Sequence, residues 1–356
     1  MGTKKHGRFQ LPPPSVSQIA GDRKGRGGAY VGIMKAVVFD TPGDASVLRV
    51  GEVPEPEIGP DDVLISVAAA GVNRADISQR QGHYPPPAGA PTWLGLEASG
   101  TVLEVGAAVT TFAPGDRVCA LLSGGGYAER VSAPAGHVLR VPDTIDLVDA
   151  AGLIEVVATV WSNVFMLADL RRGETLLVHG GSSGIGTMAV QLGRAFGARV
   201  AVTAGSAEKL AACEELGASI LINYRTEDFV ERMKAETNGA QVILDSVGGS
   251  YLDRNIRALA LDGHLLNIGN LSGETGDLNF GPLMMKRGTI HATSLRARSA
   301  SAKAAIVASV AENVWPLVAN GTVKPVVAER LPLVRAAEAH ALMESSTHIG
   351  KVLLTL

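Results

Sequence analysis

Cysteine, aromatic residues and net charge are all scarce in this chain of 356 residues. It has two cysteines, Cys119 and Cys213, 4% aromatic residues and a net charge of −3. Two cysteines far apart argue against a disulfide framework and exclude a cysteine-rich zinc lobe by number. So small a charge does not attract nucleic acid or an anionic membrane, and no unbroken apolar run reaches the roughly 18 residues that span a bilayer. We expect a cytoplasmic protein without nucleic-acid or membrane partners.

The first 33 residues differ in composition from the rest. They are basic, are interrupted by Pro12-Pro13-Pro14 and a glycine-rich stretch, and lack the apolar core of a secretory signal. We predict a disordered extension or leader, with a targeting role as the alternative, and a folded unit that begins at Met34. The chain is 46% hydrophobic and 19% charged, which is typical of a soluble protein with a large core. Its length favours two domains.

Short strands and turns dominate residues 34–142. Strands are predicted at 63–72, 101–106 and 116–120, the last introduced by the turn Pro114-Gly115. Glycine, proline and strands without long helices predict an all-β, barrel-like domain on the substrate side.

Helices and strands alternate in the second half of the chain. Apolar residues recur at helical spacing over 147–168, which predicts a helical connection. Strands are then predicted at 175–179, 200–203, 219–222, 242–246, 264–268 and 288–293, and helices at 184–196, 207–216, 227–236 and 251–259. Alternation of this kind implies parallel strands with right-handed crossovers, a doubly wound α/β sheet. The tail, predicted as helix 302–317, strand 323–327, helix 334–344 and strand 351–356, should return to the first domain.

A glycine-rich turn follows the strand at 175–179. Residues 184–189, GIGTMA, fit the G-x-G-x-x-G/A form of a dinucleotide-binding turn between a strand and a helix. Glycine permits the sharp turn, and it lets a pyrophosphate approach the N–H groups at the helix start. The residues predicted to hold the dinucleotide here are Gly181, Ser183, Gly184, Ile185 and Gly186.

The end of the next strand predicts which dinucleotide is bound. NAD sites place a carboxylate there to hold the ribose hydroxyl, but this chain has Gly205 and Ser206, with Lys209 one turn later. A hydroxyl and an ammonium suit a 2′-phosphate, and Tyr224 could complete the pocket. We therefore predict NADPH as the cofactor. The alternative is that Ser206 caps the next helix and Lys209 is a solvated surface charge.

Several blocks closely resemble one family. They are GVNRADISQRQGHYPPP at 71–87, LGLEASG at 94–100, HGGSSGIG at 179–186, DSVGGS at 245–250 and GK at 350–351. Over residues 34–356 the chain resembles the zinc-independent NADPH quinone oxidoreductases of the medium-chain dehydrogenase/reductase superfamily, most of all the tumour-suppressor-inducible subgroup. The resemblance implies a GroES-like β-barrel catalytic domain at 34–157 and 297–356, and a Rossmann NADPH-binding domain at 158–296.

The chain departs from the zinc-containing members of that superfamily. Those relatives have a cysteine ligand where this chain has Asn73, and a histidine ligand where it has Leu96. Without a thiolate or imidazole at these positions, no open zinc site is expected.

The resemblance implies NADPH-dependent reduction of a quinone or another conjugated carbonyl by hydride transfer. Asn73 and Tyr84 would line the cleft beside the nicotinamide, with Tyr84 donating to the acceptor oxygen. Packing in a proline-rich loop is the other interpretation of Tyr84. The strand end at Asn267, Ile268 and Gly269 is predicted to contact the nicotinamide half of the cofactor through its backbone. Further cofactor contacts are predicted from family position for Thr159, Leu295 and Lys351.

The sequence also carries expectations for two histidines, for alternative functions and for the oligomeric state. His179 is expected to be structural, and His348 stands where close relatives often have asparagine. The alternatives to quinone reduction are an enoyl or alkenal double-bond reductase on the same fold, and a non-catalytic NADPH-binding protein, either crystallin-like or RNA-binding. The pI of about 6.3 argues against RNA recognition. By analogy we expect a homodimer, with a tetramer as the alternative, formed by pairing of edge strands near 288–293.

Overall fold

A computed structural model describes residues 32–356, so the predicted extension lies outside the described residues except at its end. The first strand, β1 (Ile33–Val38), begins one residue before Met34 and pairs with β2 (Arg49–Pro54) in an antiparallel two-stranded sheet.

A larger antiparallel sheet follows. Its first five strands are β3 (Asp62–Gly71), β4 (Glu97–Val105), β5 (Arg117–Leu121), β6 (Arg130–Pro134) and β7 (Val138–Arg140). Val63, Ile65 and Val67 of β3 point to one side and are buried, as period-2 alternation predicts. The expectation of strands without long helices agrees with this part of the chain, in which one short helix, α1 (Arg74–Arg80), lies between β3 and β4.

A long buried helical segment connects the two sheets. It contains a 3-10 turn (Asp149–Gly152), helix α2 (Ile154–Val160) and a π-helical continuation (Trp161–Leu167). By length and composition alone, Asp149–Leu167 could cross a membrane, with a mean hydropathy of 1.6, although 78% of the window is buried inside the protein. The unbroken-run criterion missed this segment because Asp149 and Glu155 interrupt it. Its burial is that of a core helix.

The second sheet has six parallel strands. In chain order its elements are β8 (Thr175–His179), α3 (Gly184–Ala195), β9 (Arg199–Ala204), α4 (Ala207–Leu216), β10 (Ile220–Asn223), α5 (Phe229–Glu236), β11 (Ala240–Asp245), α6 (Leu252–Ala258), β12 (Leu259–Asn267), α7 (Phe280–Lys286) and β13 (Thr289–Ala292). The strand order is β10-β9-β8-β11-β12-β13, so the direction of winding reverses between β8 and β11. This confirms the doubly wound α/β fold, with β13 as an edge strand. Gly197 and Gly217 follow α3 and α4 with φ of 80° and 116°, as C-terminal capping glycines do.

The tail rejoins the first sheet. It comprises α8 (Ala300–Asn313), α9 (Trp315–Ala319), β14 (Val327–Pro332), α10 (Ala336–Ser345) and β15 (Lys351–Thr355). β15 pairs with β3 in antiparallel orientation and β14 pairs with β15 in parallel orientation. The sheet therefore runs β14-β15-β3-β4-β5-β7, with β6 also on β3, and is antiparallel apart from the β14–β15 pair. The predicted strand at 323–327 is wrong: Val323 is fully buried in the helical core, Pro325 cannot donate to a ladder, and the strand starts at Val327.

Candidate active site

The predicted site residues gather where the two sheets meet, at the carboxyl ends of the parallel strands. The tail touches the glycine turn there, because the Gly350 N–H donates to the carbonyl oxygen of Ser182 at 2.8 Å. In doubly wound folds ligands bind outside this edge, at the point where the strand order reverses. That point is the start of α3, between β8 and β11.

The turn before α3 leaves free donors for a ligand. The Ser183 hydroxyl accepts from the N–H of Gly186 at 3.0 Å and so caps the helix. The N–H groups of Gly184 and Ile185, in the first helical turn, have no intrahelical acceptor. A side chain at Gly186 would overlap the carbonyl oxygen of Gly180, so glycine is needed for the turn to fold this tightly. The arrangement fits a pyrophosphate at a helix N-terminus.

The end of β9 forms a cationic corner. Ser206 caps α4 through the N–H of Lys209 at 3.3 Å, so the capping role considered for this serine is confirmed. A Cβ added at Gly205 would lie 2.6 Å from the Tyr224 hydroxyl and 3.3 Å from Nε of Arg225. Sequence reasoning missed Arg225, although it directly follows Tyr224. One glycine therefore faces a phenol and a guanidinium.

The Lys209 ammonium crosses to the tail and donates to the carbonyl oxygen of Ser346. Partial burial and the charge of Arg225 lower the pKa of Lys209. Nearby, Nδ1 of His348 is buried and has no hydrogen-bond partner in the described part of the chain. Burial lowers the pKa of His348, and the charges of Lys209, Arg74 and Lys351 also lower it. An orphaned nitrogen among cations fits a phosphate-bearing cofactor.

Lys351 lies under the glycine turn, but its ammonium points away from it. Nζ donates to Asn73 Oδ1 at 2.6 Å and to the Val72 carbonyl at 3.0 Å, and it lies 2.7 Å from Glu97 Oε1. The ammonium therefore makes two hydrogen bonds and one ion pair, all on the side away from the turn. The stem packs against the turn, because a Cβ at Gly184 would lie 2.5 Å from Lys351 Cδ. Its charge therefore braces Asn73, and what it offers a cofactor is the apolar stem.

Asn73 is held from both ends of its amide. Lys351 donates to its oxygen, while Nδ2 donates to Glu97 Oε1 at 3.0 Å. Its own N–H donates to Asp76 Oδ2 at 2.9 Å. Asp76 is fully buried, and burial raises its pKa to about 6. The predicted cleft residue is thus fixed by groups from β4, α1 and β15.

A second carboxylate borders this network. The Glu155 N–H donates to Glu97 Oε2 at 3.0 Å, and Thr159 donates its hydroxyl to Glu155 Oε1 at 3.1 Å. Burial and the neighbouring Glu97 raise the pKa of Glu155 to about 7. Thr159 therefore faces the network from α2. The sequence carried no signal for Glu155, since a lone acidic residue in an apolar helix also fits a solvated face.

Tyr84 links the antiparallel sheet unit to the end of the parallel sheet. Its hydroxyl lies 2.6 Å from Ser294 Oγ, two residues beyond β13. The guanidinium of Arg296 lies over its ring, 5.3 Å from the centroid. Tyr84 thus has a polar partner across the cleft.

The predicted nicotinamide contacts lie beside it. The N–H of Thr293 donates to the Asn267 carbonyl at 3.0 Å, and the N–H of Ile268 to the Asp245 carbonyl at 2.8 Å. Gly269 follows, where an added Cβ would lie 3.2 Å from the Ser246 carbonyl oxygen. Leu295, directly after Ser294, packs against the core.

His179 is buried and bonded on both nitrogens, to Thr203 Oγ1 at 3.1 Å and to Asn255 Oδ1 at 2.7 Å. This supports the structural role expected for it. At the two positions compared with zinc ligands, the Asn73 amide is bonded to Lys351 and Glu97, and the Leu96 side chain is buried. Among residues 32–356, no three His, Cys, Asp or Glu side chains are grouped to hold a metal ion.

Comparison with known proteins agrees with this geometry. An alcohol dehydrogenase GroES-like domain model matches residues 59–143, and a zinc-binding dehydrogenase model matches residues 184–311. Quinone oxidoreductase 1 of Escherichia coli (strain K12) is 31% identical over 323 residues, which cover 89% of this chain and 98% of the relative.

Two further similarities are informative. The crystal structure of Escherichia coli quinone oxidoreductase complexed with NADPH has a TM-score of 0.81 and 29% identity, covering 90% of this chain and 100% of that one. The phthioceranic/hydroxyphthioceranic acid synthase of Mycobacterium tuberculosis (strain H37Rv) is 30% identical over 317 residues, which are 88% of this chain and 15% of the synthase.

Proposed function

Because the chain belongs to the quinone oxidoreductase family of the medium-chain dehydrogenase/reductase superfamily, we propose that it reduces quinones or other conjugated carbonyls with NADPH and without zinc. The observation that carries the proposal is the Tyr84–Ser294 pair, which sets hydroxyl groups beside the carboxyl end of the parallel sheet. We assign the substrate side to residues 34–157 and 297–356 and the cofactor side to residues 158–296. The two buried free cysteines fit the reducing cytoplasm.

NADPH is favoured over NADH by the cationic corner. Tyr224 and Arg225 face Gly205, Ser206 follows it, and Lys209 lies close enough to Arg225 for the two charges to interact. No carboxylate stands at the tip of β9. A 2′-phosphate there accepts charge-assisted hydrogen bonds, each of which contributes about 1.5–3 kcal/mol. The N–H groups of the glycine turn hold the pyrophosphate.

The cofactor preference is tested by fluorescence titration with NADPH and NADH. Lys209→Met and Arg225→Met should each raise the Kd for NADPH by roughly tenfold or more and leave the Kd for NADH nearly unchanged. The exposed Lys324 provides the control variant, Lys324→Met, which removes one positive charge elsewhere. If Lys209→Met and Arg225→Met weaken the binding of NADPH and NADH equally, the cationic corner does not bind the 2′-phosphate.

In the proposed reaction the protein mainly positions the acceptor and a hydrogen-bond donor beside the nicotinamide. NADPH, when bound, supplies the hydride, so that quinone, hydride and one solvent proton give the hydroquinone. Negative charge grows on the acceptor oxygen as the hydride arrives, and the Tyr84 hydroxyl is placed to donate to it. In the free protein the Tyr84 hydroxyl lies 2.6 Å from Ser294 Oγ, and this hydrogen bond orients the phenol. Asn73, held by Lys351 and Glu97, keeps the cleft wall rigid.

Stopped-flow mixing of the NADPH-bound protein with 1,4-quinones, 1,2-quinones and small enones tests the activity. Tyr84→Phe should lower kcat by at least roughly tenfold with little change in NADPH affinity. An unchanged kcat would remove Tyr84 from the reaction. If NADPH binds but no acceptor is reduced, the protein is a non-catalytic NADPH binder.

The proposal that the reaction needs no zinc rests on Asn73 and Leu96, which stand where zinc-containing relatives have ligands. Asn73 has its amide oxygen and nitrogen occupied by Lys351 and Glu97, and the Leu96 side chain has no donor atom. Elemental analysis of active protein should find less than one equivalent of zinc, and a chelator should leave the rate unchanged. Loss of activity with the chelator and recovery with zinc would refute this part.

A second candidate is reduction of a conjugated carbon–carbon double bond in a thioester or alkenal. The similarity to a segment of the phthioceranic/hydroxyphthioceranic acid synthase favours it. Reaction with deuterated NADPH separates the two. Deuterium on carbon in the product of an enoyl thioester or alkenal supports the second candidate, and formation of a hydroquinone without reaction of those acceptors supports the first.

We also propose that two copies pair along β13. This edge strand is flanked by exposed apolar side chains in and before α7, which are Leu271, Leu278, Phe280, Met284 and Met285. Edge strands with an apolar border are prone to pair. Sedimentation should show a dimer for the natural chain and a monomer for Met285→Glu. A monomeric natural chain would refute the pairing, and a tetramer would require a further interface.

A further inference from the structure

Two buried cations converge on one serine beside the Tyr84 cleft. Arg296 and Lys303 are 5% and 3% exposed. Arg296 Nε donates to the Ser123 carbonyl at 2.8 Å, and Lys303 Nζ donates to the Ser123 hydroxyl at 2.6 Å. We call these two side chains the cation pair. Ser123 lies just after β5, on the antiparallel sheet, so the pair reaches across from the chain that follows β13.

The cation pair has no counter-ion in the described part of the chain. No carboxylate there lies within 4.0 Å of either side chain, and Arg296 Nη2 is buried without any hydrogen-bond partner. Burial lowers the pKa of Arg296, against smaller opposing effects of the more distant Asp76 carboxylate and of Tyr84. Burial also lowers the pKa of Lys303, and the charge of Arg296 lowers it further. By contrast, the fully buried Arg80 is paired with Glu344 at 2.6 Å. Buried charges are costly unless they are paired, so the cation pair is built for a partner outside the chain.

The Arg296 guanidinium lies directly beside Tyr84, the residue proposed to contact the acceptor. Arg296 Nη1 donates to the Tyr84 carbonyl at 3.4 Å, and its guanidinium lies over the Tyr84 ring. A Cβ added at Gly124 would lie 3.5 Å from Nη2, so the residue beside that nitrogen has no side chain to cover it. An anionic group bound here could therefore belong to the same molecule whose carbonyl reaches the Tyr84 hydroxyl.

We propose that the cation pair is a carboxylate-binding subsite, so that the acceptor is a quinone or enone that carries a carboxylate. The inference rests on the proposed reductase function and names its substrate class. A guanidinium accepts a carboxylate with two parallel hydrogen bonds, and the neighbouring ammonium adds a second positive charge. A neutral acceptor would leave both charges buried and unpaired. The subsite fixes the substrate at one end while Tyr84 contacts the carbonyl at the other.

Matched acceptors test the proposal. The probes are 1,4-benzoquinone-2-acetate and its methyl ester, in which a methylene insulates the ring from the charge. The natural protein should show a higher kcat/KM for the acid, and Arg296→Met should lower the acid-to-ester ratio roughly 10- to 100-fold, through KM. Lys303→Met should also lower the acid-to-ester ratio. Arg296→Lys should lower the ratio less than Arg296→Met does, and Lys324→Met should leave the ratio unchanged.

Equal kcat/KM for acid and ester in the natural protein would overturn the proposal. So would an equal loss with both probes in Arg296→Met, since that indicates a structural role. A binding measurement keeps the subsite testable if no acceptor is reduced. Calorimetry of the NADPH-bound protein with 2,5-dihydroxyphenylacetate and its methyl ester should favour the acid, and Arg296→Met should abolish the preference. Acid binding without turnover would refute the reductase function alone, and no preference would refute the subsite.

Discussion

Replacement of Lys351 by methionine should destabilise the protein more than any surface substitution. The ammonium of Lys351 is almost fully buried against Glu97, with 2.7 Å between Nζ and Oε1. Methionine keeps most of the stem that packs on Gly184 but removes the charge. Glu97 is then a buried carboxylate whose remaining donors are Asn73 Nδ2 and the N–H of Glu155, both at 3.0 Å.

Removing one partner of a buried ion pair costs about 3–5 kcal/mol. Because two neutral donors remain on Glu97, we expect the lower end, about 3 kcal/mol at pH 8. That is a large share of the roughly 5–15 kcal/mol that stabilises a folded protein.

Urea unfolding followed by tryptophan fluorescence measures the effect, with Lys324→Met as the control. In the double variant Lys351→Met/Glu97→Gln, the amide has no charge to compensate, so at least half of the lost stability should return. A loss below about 1 kcal/mol in Lys351→Met, or no recovery in the double variant, would refute the view that this lysine neutralises Glu97. NADPH affinity should change less than stability, because the ammonium faces away from the glycine turn.

Two further predictions concern the same region. The folded-state pKa of Glu155, about 7, lies above its ordinary 4.5, so its contribution is present below about pH 4.5 and is lost as pH rises to 7. Between pH 4.5 and 7, the unfolding free energy of Glu155→Gln should therefore decrease by up to about 3 kcal/mol less than that of the natural chain. Urea unfolding at several pH values measures this difference. The same pH dependence in both proteins would contradict the prediction. Gly186→Ala should abolish NADPH binding in a titration, because its Cβ overlaps the Gly180 carbonyl. Gly281→Ala should not, since its Cβ would contact the Asn279 side chain, with Oδ1 at 3.3 Å, and no backbone atom within 4 Å. Normal binding by Gly186→Ala would mean that the turn can open without cost.

Local patterns were enough to predict most of the parallel sheet. The strand Thr175–His179 and the helix Ala207–Leu216 have the predicted bounds, because buried apolar runs and glycine stops act over a few neighbouring residues. The prediction failed where such cues conflict. Alternating valines around Pro325 imitate a strand, but proline cannot join the ladder, and Val323 packs among helices instead.

The family resemblance predicted the site residues but not the contacts among them. Tyr84 and Asn73 were predicted to line one cleft, and the structure brings both to the junction of the two sheets. It also adds Arg225 and Glu155, which no spacing rule indicated. Both residues join the site through a tertiary contact: Arg225 lies beside Gly205, and the N–H of Glu155 donates to Glu97.

The sequence by itself determined the glycine turn, the alternation of strands and helices, and the lack of zinc-binding side chains at Asn73 and Leu96. These depend on residue type and short spacing. The tertiary structure alone decided that Lys351 braces Asn73, 278 positions away, and that Arg296 meets Ser123 across 173 positions. Such contacts arise when the tail returns to the first sheet and two surfaces are buried together. Whether a charge is paired or left for a ligand depends on that burial, which no local pattern encodes.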